Sequence, residues 1–189
     1  MHKLLLALAM LGLTGQAAAA ADIEPLAMTC NACHGVRGVS AGETIPSIGG
    51  LPKTYLQTVM RQWKYDERSS ITMGRLVKGL SDDEINALAA YYAKFPWVPV
   101  PQPAPAAKLA KGRAVVAADC ADCHGPRGGD PDIDAPKING QWAKYMELEL
   151  EKYRDKDFTM PHRKMKKAVR ARTPAEAAAA ARYFAAQGR

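Results

Sequence analysis

Two five-residue stretches, Cys30-Asn31-Ala32-Cys33-His34 and Cys120-Ala121-Asp122-Cys123-His124, both read C-x-x-C-H and together use all four cysteines of the chain. Two thiols one helical turn apart can add across the two vinyl groups on one edge of a porphyrin. The histidine that follows then offers a ring nitrogen to the iron. The pattern predicts two covalently bound haem c groups, held through Cys30 and Cys33 and through Cys120 and Cys123, with His34 and His124 as iron ligands. Whatever fold forms has to wrap a large flat cofactor twice.

Other uses of a C-x-x-C pair fit less well. A thioredoxin-like dithiol belongs in an alternating strand and helix pattern, and strand-like runs are few here. A structural zinc site needs four ligands in one closed shell, whereas the two motifs lie 90 residues apart, each with its own histidine. The N-terminus adds context. Lys3, the apolar run Leu4 to Leu13 and the small residues up to Ala21 read as a secretory signal peptide over 1–21. The run is too short for the roughly 20 residues of a membrane span. Export also makes nucleic acid a poor explanation for the formal charge of +7. The basic residues crowd one stretch, Arg163 to Arg172, where they offset haem carboxylates and steer an acidic partner.

The motifs are followed by parallel text. Ile45-Pro46-Ser47-Ile48-Gly49-Gly50, Tyr55, Trp63, Met73, Ser81 and Tyr91-Tyr92 are matched by Ala135-Pro136-Lys137-Ile138-Asn139-Gly140, Tyr145, Tyr153, Met165, Thr173 and Tyr183-Phe184. The offset is 90 up to Tyr153 and 92 from Met165, which places a two-residue insertion near Asp157 to Arg163. The chain is a tandem duplication. Each half reads as three helices: one leading into C-x-x-C-H, from near Pro25 and over 107–121; one over 52–63 and 142–153; and one behind a capping box, Ser81 to Glu84 and Thr173 to Glu176. Five prolines between Pro96 and Pro105 make a semi-rigid spacer. The expected organisation is all-α, with domains over 22–96 and 107–189 and a Pro-rich linker over 97–106.

A sixth iron ligand has to come from elsewhere in each half. Met73 lies eight residues before Ser81, and Met165 eight before Thr173, both expected in a loop. A thioether is a soft neutral donor that favours reduced iron and suits electron transfer. Met60 and Met146 sit inside helices and read as core filler. In the second half Met160 and His162 share the loop with Met165, and only Met165 keeps the register of the repeat.

With these features in place the chain resembles the diheme class I cytochromes of the c4 family, and within it the cytochrome subunit of flavocytochrome c sulfide dehydrogenases. The residues that carry this are Cys30 to Gly35, the run Ile71-Thr72-Met73-Gly74-Arg75-Leu76-Val77-Lys78-Gly79, and Gly140-Gln141-Trp142. The resemblance implies two tandem cytochrome c-type domains, each around one covalent haem and related by a pseudo-twofold axis. It implies a periplasmic electron-transfer protein rather than an enzyme, with Met73 and Met165 as ligands. A flavoprotein dehydrogenase subunit would be the donor, and a downstream cytochrome or oxidase the acceptor. A free c4-type carrier is the alternative, and a diheme peroxidase or thiosulfate dehydrogenase a further one.

Overall fold

Apolar residues at helical spacing, interrupted by glycine and proline loops, fold into two helical domains in a computed structural model that describes residues 22–188. The signal peptide read at 1–21 lies outside the described residues. The first domain holds α1 (Glu24–His34), a 3-10 turn (Val36–Gly38), α2 (Lys53–Lys64), α3 (Met73–Val77) and α4 (Asp82–Ala93). The second holds α5 (Ala106–Asp119), α6 (Ala121–His124), α7 (Ala143–Arg154), α8 (Arg163–Arg170) and α9 (Pro174–Ala185). No strand occurs among the described residues.

In each domain the last helix is the centre of packing. α4 lies against α1 and α2, and α9 against α5 and α7. Ile85 and Leu88 on α4 are fully buried, and each such side chain stabilises the fold by about 1.5–3 kcal/mol relative to exposure. Tyr91, Tyr92, Tyr183 and Phe184 are core residues. The Tyr92 hydroxyl donates to the Ala27 carbonyl at 2.8 Å, which ties α4 to α1. Both capping boxes are formed in full.

Two features depart from the sequence-based expectation. The methionines Met73 and Met165 stand on short helices, α3 and α8, where loops were expected. Five- and eight-residue helices are too short to show a period of their own, and they hold by packing on α2 and α7. The Pro-rich stretch is a strap fixed to the second domain rather than a bare spacer. Prolines remove donors, and the N–H groups that remain bind it down: Val100 donates to the Gly140 carbonyl and Gln102 to that of Ala185, both at 2.9 Å.

The two domains meet through repeat-equivalent residues. Ser69 N–H donates to the Thr159 carbonyl at 2.8 Å, and Thr159 N–H to Ser69 Oγ at 2.9 Å. A residue that pairs with its own counterpart lies near a twofold axis. Off that axis the interface is unsymmetrical. Gln141 accepts from Ser47 N–H (3.0 Å) and donates to the Ser47 carbonyl (2.9 Å), while Trp142 Nε1 donates to the Ser40 carbonyl (3.1 Å). The first domain has Leu51-Pro52 at the matching positions.

Candidate haem-binding sites

Both C-x-x-C-H motifs end a helix, and a left-handed glycine turns the chain away from it. Gly35 has φ +76° and Gly125 φ +73°, a region only glycine enters cheaply. A Cβ at Gly35 would overlap the Val39 carbonyl oxygen. The loop that follows is drawn back by one carbonyl in each half. Gly38 O accepts from Ile48 and Gly49 N–H, and Gly128 O from Ile138 and Asn139 N–H, at 2.8 and 3.1 Å in both cases.

This loop fixes the histidines. His34 Nδ1 donates to the Pro46 carbonyl at 2.8 Å, and His124 Nδ1 to the Pro136 carbonyl at 3.1 Å. A carbonyl can only accept, so the ring hydrogen sits on Nδ1 and Nε2 keeps its lone pair for a metal. Both rings are buried. Burial holds their pKa below the ordinary histidine value, although the proline carbonyls work against it. Each is a neutral imidazole set with one nitrogen free, the form that binds iron.

None of the four cysteines is paired in a disulfide. Among the described residues no group of three or more His, Cys, Asp or Glu side chains is placed to hold a metal ion.

A cavity of about 530 Å³ opens beside the second motif, lined by Cys120, Cys123 and His124 and by apolar side chains such as Val115, Ile138 and Phe184. Its volume falls in the range of cofactor pockets. Thiols, an imidazole with Nε2 free and an apolar wall in one space fit a covalent haem. Of the competing second ligands, Met165 and His162 line this cavity. Met160 is 2% exposed and packs with Tyr153 and Val169 instead. In the first domain Met73 opens α3, half-buried, its N–H bonded to Ser70 Oγ at 3.1 Å. Met60 packs against the core of that domain and Met146 belongs to the core of the second.

Some groups contribute in ways that the sequence does not signal. Pro46 and Pro136 act through their carbonyls, and the only trace of this is their repetition twelve residues after each histidine. Arg68 and Tyr55 reach the second cavity from the first domain, and nothing local in the sequence signals that.

Two helical domains, each with a thiol pair and a positioned histidine, define a two-haem c-type cytochrome with both groups covalently bound. The family described as Cytochrome c matches residues 109–186, and that described as Cytochrome C oxidase, cbb3-type, subunit III matches residues 17–91. A cytochrome c4 of Pseudomonas aeruginosa is 34% identical over 170 residues, covering 82% of this chain and 83% of the relative. A thiosulfate dehydrogenase electron acceptor of Thiomonas intermedia is 33% identical over 162 residues, covering 79% and 75%. The cytochrome subunit of sulfide dehydrogenase from Chlorobaculum tepidum is 39% identical over 72 residues, covering 38% and 64%. The solved cytochrome c4 of Acidithiobacillus ferrooxidans shares the fold, with a TM-score of 0.73, 23% identity and coverage of 84% and 99%. The chain belongs to the cytochrome c4 family and is a c4-like diheme electron carrier. Among the described residues no helix is long and apolar enough to cross a membrane.

Proposed function

We propose that this protein is a periplasmic carrier that takes electrons from a dehydrogenase acting on a reduced sulfur compound and delivers them to a downstream cytochrome or oxidase. Bound haem supplies one-electron chemistry at iron. The chain's own residues set the terms of that chemistry. His34 and His124 would ligate the iron through Nε2, oriented by the Pro46 and Pro136 carbonyls. Met73 and Met165 would supply thioethers as the further ligands, soft donors that raise the potential and suit electron transfer. With a histidine and a methionine available to each iron, bond making would belong to the partner. The observation that carries this reading is the matched Nδ1–carbonyl pair, which presents Nε2 the same way in both halves.

Sulfur compounds as the ultimate donor are supported by the likeness to the thiosulfate dehydrogenase electron acceptor, which extends over both domains. A second reading makes the chain the cytochrome subunit of a flavoprotein sulfide dehydrogenase, supported by the likeness over 72 residues. One ground for that branch is less specific than it looks in the sequence. Gln141 and Trp142 are accounted for by domain packing.

The test is to purify the protein with its haems and follow their reduction by stopped flow. One arm uses a thiosulfate dehydrogenase with thiosulfate, the other a flavoprotein sulfide dehydrogenase with sulfide. Fast reduction in the first arm with no copurifying flavoprotein is the expected result. A flavoprotein that copurifies and reduces the haems on adding sulfide would favour the second reading, and reduction in neither arm would remove sulfur dehydrogenases as donors.

A further inference from the structure

Arg68 belongs to the first domain, yet its side chain lines the cavity of the second beside Cys120, Cys123 and His124. It is 7% exposed. A buried guanidinium needs its charge balanced and its five donors satisfied. Within the protein Arg68 meets these needs only in part: Glu149 is its ion-pair partner, at 3.5 Å. Its side-chain hydrogen bonds both leave from Nη2 and both are long, 3.4 Å to the Tyr153 hydroxyl and 3.5 Å to Glu149 Oε2. Nε and Nη1 donate to no group among the described residues. Glu149 is a shared counter-ion, since Lys152 is in closer contact with its other oxygen.

Two hydroxyls stand around the same space. Tyr55 and Tyr145, equivalents in the repeat, both line the cavity, and neither hydroxyl has a hydrogen-bond partner among the described residues. Burial pushes Tyr55 up to about 12 and raises Tyr145 as well. They are therefore neutral donors. The cavity thus combines thiols and an imidazole with a cation and two unpaired phenols from the domain boundary. A porphyrin that enters thioether-first carries carboxylates elsewhere on its rim, and these are the groups such donors would satisfy.

Building on the two-haem reading above, we infer that Arg68, with Tyr55 and Tyr145, forms a clamp across the domain boundary for the propionate carboxylates of the haem held by the second domain. The second site is then incomplete without the first domain. At the 90-residue offset Arg68 falls on Phe158, so that position returns no cation to the first haem. A fixed positive charge favours the reduced form of a nearby haem, and the clamp therefore separates the two potentials.

Spectroelectrochemical titration of the purified two-haem protein tests this. Arg68→Gln lowers one of the two one-electron waves by about the equivalent of a tenfold change in equilibrium constant, about 59 mV for one electron, and leaves the other in place. Arg68→Lys lowers the same wave by less. Glu149→Gln breaks the same interface contact but removes a negative charge, and it lowers neither wave. The milder double change Tyr55→Phe with Tyr145→Phe keeps the ring packing and shifts the propionate-bending Raman band of one haem. The clamp is overturned by waves that hold in Arg68→Gln, by both falling equally, by Glu149→Gln reproducing the fall, or by an unmoved Raman band. An unmodified protein without two covalent haems would instead strike at the carrier reading itself.

Discussion

His34 and His124 show how little freedom a metal ligand keeps once its second nitrogen is engaged. Each carbonyl partner fixes the tautomer and the ring plane, and each is itself placed by the glycine carbonyl behind the loop. Burial narrows the donors available to the second iron. Met160 is sealed in the α7–α8 core, while Met165 and His162 face the cavity. Met165 is the expected ligand because it keeps the register of Met73. Met165→Ala should turn the second haem high-spin and lower its potential, and His162→Ala should leave a low-spin spectrum. Optical and EPR spectra check this, and a high-spin His162→Ala protein would transfer the assignment to His162. The sequence spells out thiols and histidines because their spacing is covalent chemistry. It cannot sort three donors within six residues, since what separates them is tertiary packing: Met160 is buried with Tyr153 and Val169, while His162 and Met165 line the cavity.

At the scale of the element, the capping boxes of α4 and α9 were fully legible, because a cap is a local hydrogen-bond exchange between residues three apart. Ser81 N–H donates to Glu84 Oε2 at 2.6 Å and Glu84 N–H to Ser81 Oγ at 3.1 Å, with the same exchange between Thr173 and Glu176. Ser81→Ala should cost about 1 kcal/mol in urea unfolding. The Glu84 carboxyl is held below its ordinary range by the Ser81 backbone N–H and then by the Ser81 hydroxyl. A depressed carboxylate pKa contributes stability above the unfolded value of about 4.3, and loses it as pH falls through the folded value. Glu84→Gln should therefore be less stable than the parent near about pH 7, with the gap closing as pH falls through the folded value. A gap that persists in acid would count against the carboxylate. Helices α3 and α8 were not legible, for they exist through contact with α2 and α7.

For the whole molecule, duplication was readable because both copies carry the same landmarks, but the way the copies dock was not. The pairing of Ser69 with Thr159 follows from symmetry, yet nothing in either residue announces it. The stronger fastening breaks the symmetry, and a repeat alignment hides what only one copy has. Gln141 is 3% exposed and Ser47 2%, and the glutamine amide satisfies both backbone groups of Ser47 across the boundary. Removing it strands a buried N–H and a buried carbonyl, at about 1–3 kcal/mol for each group left unsatisfied. Gln141→Ala should therefore lower the urea midpoint and loosen the docking while both haems stay attached. The sharper sign is loss of coupling. If Arg68 and Ser47 reach the second domain only while it is docked, the parent unfolds in one transition, followed alike by the haem bands and by far-UV circular dichroism. The variant should unfold in two, as each domain keeps its own core and its own haem. A single transition at the parent midpoint would mean that the domain boundary is held by contacts other than Gln141.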